Sequence, residues 1–189
     1  MAVGGRWEAL FADLEAQAAA AEHAERAAEV DERTRGELAG LGTVDRLRAA
    51  DGAAVRLRVI GARTLTGVVG RVGPDWLLLA EDAGREAVVP LAAVLGVRGL
   101  SRFSAVPGTA GAVSSRLGLR SALRGIARDR SPVRLELADG SGLDATLDRV
   151  GADFVEVAVH APGEARRRHD VAEVELVPFA GLVAVRRRI

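Results

Sequence analysis

The chain says one thing twice, and that duplication restricts what it can fold into more than any other feature. Val55-Arg-Leu-Arg-Val stands beside Val133-Arg-Leu-Glu-Leu, and Arg71-Val-Gly-Pro-Asp-Trp76 beside Arg149-Val-Gly-Ala-Asp-Phe154, at a constant offset of 78 residues. Eight of the 25 positions over 55–79 are identical at that offset, with no gap. Further on, Val89-Pro90-Leu-Ala-Ala-Val-Leu-Gly-Val97-Arg98 meets Val177-Pro178-Phe-Ala-Gly-Leu-Val-Ala-Val185-Arg186 at an offset of 88, so one loop of the second copy is longer by 88 − 78 = 10 residues. A repeat of this length is a small domain rather than a solenoid unit.

Both copies alternate apolar and polar residues, the mark of strands with one buried face. Val55, Leu57 and Val59 alternate with Arg56 and Arg58, and Gly61 marks the turn into a second strand over 63–72. Gly67 and Gly70 inside that strand predict a bend or bulge. Gly73-Pro74 turns the chain into a third strand at Trp76–Leu79, a loop at 82–84 leads to a fourth over 86–89, and a tight turn at Pro90 leads to a fifth over 94–98. The alternation predicts a core of Val55, Leu57, Leu65, Val72, Leu79 and Val97, with Val133, Leu135, Leu143, Val150, Val157 and Val185 as counterparts.

Helices flank the repeats. Residues 5–41 read as one long helix, rich in Ala, Glu and Arg, with Trp7, Leu10, Phe11 and Leu14 on one face. It is either a contact for another copy or protein, or a helix lying along its own chain. Thr43 reads as the N-cap of a short helix over 44–50. Residues 101–115 have linker composition. Arg116–Arg128 reads as an amphipathic helix, with Leu119, Ala122, Leu123 and Ile126 on one side and Arg116, Arg120, Arg124 and Arg128 in a row beside it. Ser131-Pro132 ends that helix.

Composition excludes several chemistries. The 189 residues contain no Cys and no Tyr, and all 26 basic residues apart from His are Arg. There is thus no disulfide framework, thiolate metal site or Cys nucleophile, and no sequence signature of a phosphate loop, a Gly-x-Ser-x-Gly elbow or a zinc-binding His pair occurs. His23, His160 and His169 read as surface residues. The expectation is a protein that is not an enzyme and uses no cofactor and no metal. Absence of a membrane-spanning run and of a signal-peptide pattern at the start points to a cytoplasmic protein without membrane attachment.

Net charge is zero, but the sign is segregated: residues 1–42 hold nine acids against four Arg, and residues 98–134 hold eight Arg against one Asp. The Arg row, joined by Arg166, Arg167 and Arg168 in the long hairpin of the second copy and by Arg186 to Arg188, forms a basic surface suited to phosphates. The acidic helix could compete for that surface.

The strand-turn-strand order carries a resemblance. Val55-x-Leu57-x-Val59, Leu65-x-Gly67-x-Val69-x-x-Val72 and Trp76-Leu-Leu-Leu79 resemble the first Sm motif. Val88-Val-Pro-Leu-Ala-Ala-Val-Leu-Gly-Val97 resembles the strand-turn-strand that ends bacterial Sm-like proteins. The resemblance covers residues 43–100 and 116–188. It implies two tandem Sm-like (SH3-like) five-stranded small barrels, each preceded by a helix, plus a long N-terminal helix. The domains are then an acidic helix over 1–42, a first barrel over 43–100, a linker over 101–115, and a second barrel with its basic helix over 116–189. It also implies a ring-forming, often RNA-binding module. The base-reading position of that family, however, falls on Leu77 and Val155, and its basic turn residue near Pro90 and Leu91, so the family's RNA site does not carry over.

Two functions remain. One is a nucleic-acid-associated regulator, for RNA or DNA, that grips phosphates through Arg116, Arg120, Arg124, Arg128, Arg166, Arg167 and Arg168. The other is an assembly scaffold that pairs with protein partners or further copies through barrel edge strands and the N-terminal helix.

Overall fold

The computed structural model describes residues 5–106, 117–160 and 173–187. Two compact units make up the chain, Met1–Leu41 and Gly42–Ile189. The first is a single helix, α1 (Gly5–Ala39). Glu22–Arg26 forms an i,i+4 ion pair at 2.7 Å on it, and Gln17 donates to Asp13 at 2.9 Å. Such pairs add a few tenths of a kcal/mol each to a helix already made of strong formers.

The second unit opens with α2 (Thr43–Arg48). Its N-cap is Gly42 rather than Thr43, and the Asp45 carboxylate accepts the Gly42 N–H at 3.1 Å, which closes the first turn. Leu47 of α2 is fully buried. Five strands follow: β1 (Ala54–Val59), β2 (Arg63–Val72), β3 (Trp76–Ala80), β4 (Glu86–Pro90) and, after a single 3-10 turn, β5 (Val94–Arg98). Then come α3 (Leu119–Asp129), β6 (Val133–Leu137), β7 (Gly142–Val150), β8 (Phe154–Val159), β9 (Glu173–Pro178) and β10 (Leu182–Arg187).

The two halves are built alike. Leu57 opposes Leu65 across β1 and β2, and Leu135 opposes Leu143 across β6 and β7. Trp76 opposes Pro90, and Phe154 opposes Pro178. Gly73 donates its N–H to the Trp76 carbonyl at 2.8 Å, and Gly151 does the same to Phe154 at 2.9 Å. In both turns the aromatic ring lies over the glycine, where a Cβ would collide with it, so the repeated Val-Gly-x-Asp-aromatic segment needs Gly at that point. The bend predicted from Gly67 and Gly70 appears as a register shift between Val69 and Val72.

Two separate five-stranded barrels do not form. All ten strands belong to one open antiparallel sheet, ordered β5-β1-β2-β3-β4-β10-β6-β7-β8-β9. The seam is β4 against β10, with Val88 opposite Val185 and Ala87 opposite Arg186. An isolated five-stranded unit would leave both of these edges with unpaired backbone groups; joining them satisfies those groups and mixes the two cores. Val183 and Ala184 of β10 pack into the cluster around Leu47, Leu57 and Leu79, while Trp76 and Val88 pack into the cluster around Leu123, Leu135 and Leu147.

Ion pairs lock the seam. Arg186 donates twice to the Glu81 carboxylate, at 2.8 Å from both Nε and Nη2, and also pairs with Glu136. Arg63 of β2 reaches Glu136 from the other side at 3.0 Å.

Most of the expected core is observed. Val55, Leu57, Leu65, Val72 and Leu79, and Val133, Leu135, Val157 and Val185, are buried. Val97, Leu143 and Val150 are partly buried and pack against the same clusters. Among the described residues no helix is long and apolar enough to cross a membrane.

Candidate nucleic-acid interface

The basic helix α3 packs its apolar face on the second half of the sheet, chiefly on β7, and is held at its N-terminus by the first. Gly118 holds the N-cap position, and Asp75 in the turn before β3 accepts the Leu119 N–H at 2.7 Å, a carboxylate at the positive end of the helix. Next to it, the Trp76 indole N–H donates to the Leu117 carbonyl at 2.7 Å. Leu119 and Leu123 are buried, and Ala122, Ile126 and Ala127 pack against the same core. The helix stops at Arg130, in the left-handed conformation with φ of 56°, just before Ser131-Pro132.

Burial of the Leu face fixes where the guanidiniums go. Arg120, Arg124 and Arg128 are all exposed. Spaced four residues apart, they recur about every 6 Å along the axis. No carboxylate lies within ion-pairing distance of any of the three among the described residues. An open groove of about 790 Å³ runs beside the row, lined by Ser121, Arg124, Arg128, Arg130 and Asp148 among others. Its basic character is tempered at one end, where Arg130 is paired with Asp148 at 2.8 Å. Arg128 also sits in the last turn of α3, where a cation is favoured by the helix dipole.

Arg116 and the hairpin Arg166, Arg167 and Arg168 lie outside the described residues, as do His169 and Arg188. Arg186 does not belong to the basic surface: Glu81 and Glu136 hold it in the seam. Its hydrogen bonds to Glu81, and the nearby Glu136 charge, raise its pKa against the opposing effect of burial. His160 is not a surface residue either. It is 7% exposed, its ring nitrogen Nε2 lies 2.9 Å from the buried Thr146 hydroxyl, and its N–H donates to the Asp144 carbonyl. Three exposed strand Arg that alternation alone marks only as facing solvent, Arg56, Arg58 and Arg98, line a groove of about 730 Å³ on β5, β1 and β2.

No family model matches the chain, and neither a curated protein nor a solved structure matches it. The resemblance to Sm-like proteins therefore rests on the residues quoted for it.

Proposed function

We propose that the chain is a non-enzymatic nucleic-acid-associated regulator that grips phosphate backbones through Arg120, Arg124 and Arg128. One observation carries this reading: three exposed guanidiniums of one sign, a helical turn apart, on a helix whose other face is fixed by Leu119 and Leu123. Such a row neutralises successive phosphates without reading bases. Arg suits the task because its planar fork matches phosphate oxygens. Arg116 and Arg166 to Arg168, which the sequence joins to this set, lie outside the described residues. The test is fluorescence anisotropy with labelled mixed-sequence RNA and DNA strands. Replacing Arg120, Arg124 and Arg128 together with Gln should weaken binding about tenfold or more at low salt and lower the melting temperature by no more than about 4 °C, the small cost of losing the Arg128 charge at the helix end. Unchanged affinity would overturn the reading.

A specific feature of the sheet supports assembly as a second reading. Leu176 of β9 stands 88 residues on from Val88, which the seam buries to 8%, yet Leu176 is 53% exposed and Val174 is 60% exposed on the free edge. An unpaired edge with apolar side chains is a template for strand addition. If β9 pairs with another copy, the mass in solution exceeds the monomer, and V174D/L176D returns it to monomer. A monomer at every concentration would exclude this reading.

A further inference from the structure

The duplication supplies an internal control on surface charge, because the same face of the sheet occurs once in each half. In the second half that face holds Arg134, Glu136, Asp144 and Arg186. Asp144 faces Arg134 across β6 and β7 and pairs with it at 3.2 Å, and Glu136 is shared by Arg186 and Arg63. Two cations and two anions thus balance. The equivalent positions in the first half are Arg56, Arg58, Thr66 and Arg98, at the offsets of 78 and 88 that relate the copies. Both acids are gone: Arg58 stands where the second half has Glu136, and Thr66 where it has Asp144.

The groove at these positions is lined by three cations and no anion, with Glu81 and Asp82 lying beyond Thr66 in the adjoining pocket. Arg56 lies directly opposite Arg98 across β1 and β5, and opposite Thr66 across β1 and β2. Arg58 faces Gly96 on one side and Thr64 on the other. Like charges directly opposite one another destabilise a sheet. The second half carries the same opposition, Arg134 against Arg186, but there Asp144 and Glu136 offset it, so the fold can hold acids at these positions and the first half holds none. Arg56, Arg58 and Arg98 are exposed, and none has a carboxylate within ion-pairing distance among the described residues. Arg58 is steadied by a long 3.5 Å contact to the Leu95 carbonyl, and its guanidinium packs beside Gly96. The hydroxyl-bearing Thr64 and Thr66 complete the groove, which holds about 730 Å³.

We infer that the groove formed by Arg56, Arg58 and Arg98 with Thr64 and Thr66 is a second binding site for the phosphate backbone of a nucleic-acid strand. It rests on the reading of α3 given above and adds a contact on the opposite half of the sheet's strand order. Forked guanidiniums with neighbouring hydroxyls are the donor set that holds phosphate oxygens. An acidic polypeptide is the competing occupant. A strand added to the β5 edge would lie alongside β5, two strands away from Thr64 and Thr66, whereas the groove crosses β5, β1 and β2. That geometry favours a polyanion lying on the face.

The test compares two triple variants of the full chain, R56Q/R58Q/R98Q and R120Q/R124Q/R128Q, by anisotropy with a labelled mixed-sequence single-stranded oligonucleotide over a salt series. Loss of three phosphate contacts should lower the magnitude of the slope of log affinity against log salt by about two, and low-salt affinity about tenfold, in the groove variant. Thermal melting should be unchanged or raised, since opposed like charges are removed; a lowered melting temperature would move the comparison to the single variants R56Q and R58Q. If the groove variant binds like the wild type while the α3 variant does not, the groove inference is wrong and the α3 reading stands. If only the groove variant loses binding, the α3 reading falls and the groove stands. A poly-Glu peptide that binds the wild type and not the groove variant, with oligonucleotide binding unaffected by the three substitutions, would assign the groove to an acidic polypeptide and overturn the inference.

Discussion

Arg186 illustrates how neighbours decide what a charged side chain does. It sits in a terminal run of basic residues, yet two carboxylates claim it, and the Glu136 Oε2 atom already lacks a partner. Removing the guanidinium would leave Glu81 without its partner and Glu136 with Arg63 alone, in a place where water reaches them poorly. Arg186→Ala should therefore cost about 3 kcal/mol, the lower end for breaking a largely buried pair, measured by urea denaturation. Arg186→Lys should recover only part, because an ammonium cannot bond both Glu81 oxygens in a fork. Since its pKa is raised, titration of the Arg186 guanidinium itself removes none of this stabilisation below the ordinary guanidinium range and does so only above it. Asp139 runs the other way: hydrogen bonds from the Ser141 hydroxyl and N–H lower its pKa below 3.8. Its contribution is present above the ordinary carboxylate value and is lost as pH falls through the lowered one. An NMR titration should find its midpoint below 3.8, moving up in Ser141→Ala. Leu57, with no exposed surface, should lose roughly 2–5 kcal/mol on truncation to Ala. Leu57 and Leu135 were legible because strand alternation alone sends them inward. Arg186 and His160 were not, because Glu81 is 105 residues from Arg186 and Thr146 is 14 residues from His160, so only the folded sheet brings them together.

Helix α3 shows the same divergence between equal sequences and unequal uses. Asp75 and Asp153 occupy matching places in the two copies, and each offers its carbonyl to the residue after the following Pro, Leu91 or Phe179. Among the described residues only Asp75 also caps a helix, because the N-terminus of α3 meets the turn before β3 while its apolar face packs on the second half. Asp75→Ala should lose about 1 kcal/mol and speed amide hydrogen exchange in the first turn of α3, while Asp153→Ala should be close to neutral. Equal losses from both would show that the Asp75 carboxylate does not stabilise the first turn of α3. Every strand of the first half was legible from turn residues and alternation, to within a residue at each end. The helix boundary at Leu119 and the role of Asp75 were not, since a cap supplied from 44 residues away leaves no local signal.

The whole sheet follows from a choice that repeats cannot reveal. Duplicate strand patterns fix the pairing inside each half, but whether β4 closes on its own copy or joins β10 depends on the seam. Val88, Trp76 and the Glu81–Arg186–Glu136 chain settle that choice in favour of one sheet. Unfolding of residues 42–189 should accordingly be one transition, with circular dichroism and Trp76 fluorescence coinciding; two resolved steps would mean that the halves fold separately. Continuity also gives the basic groups a common platform, with α3 on one half and the Arg56–Arg58–Arg98 face on the other. The salt dependence of oligonucleotide binding by the full chain reads this arrangement most directly. Six phosphate contacts on a single strand predict a slope of log affinity against log salt of about −4. A slope near zero, or no binding at low salt, would contradict it.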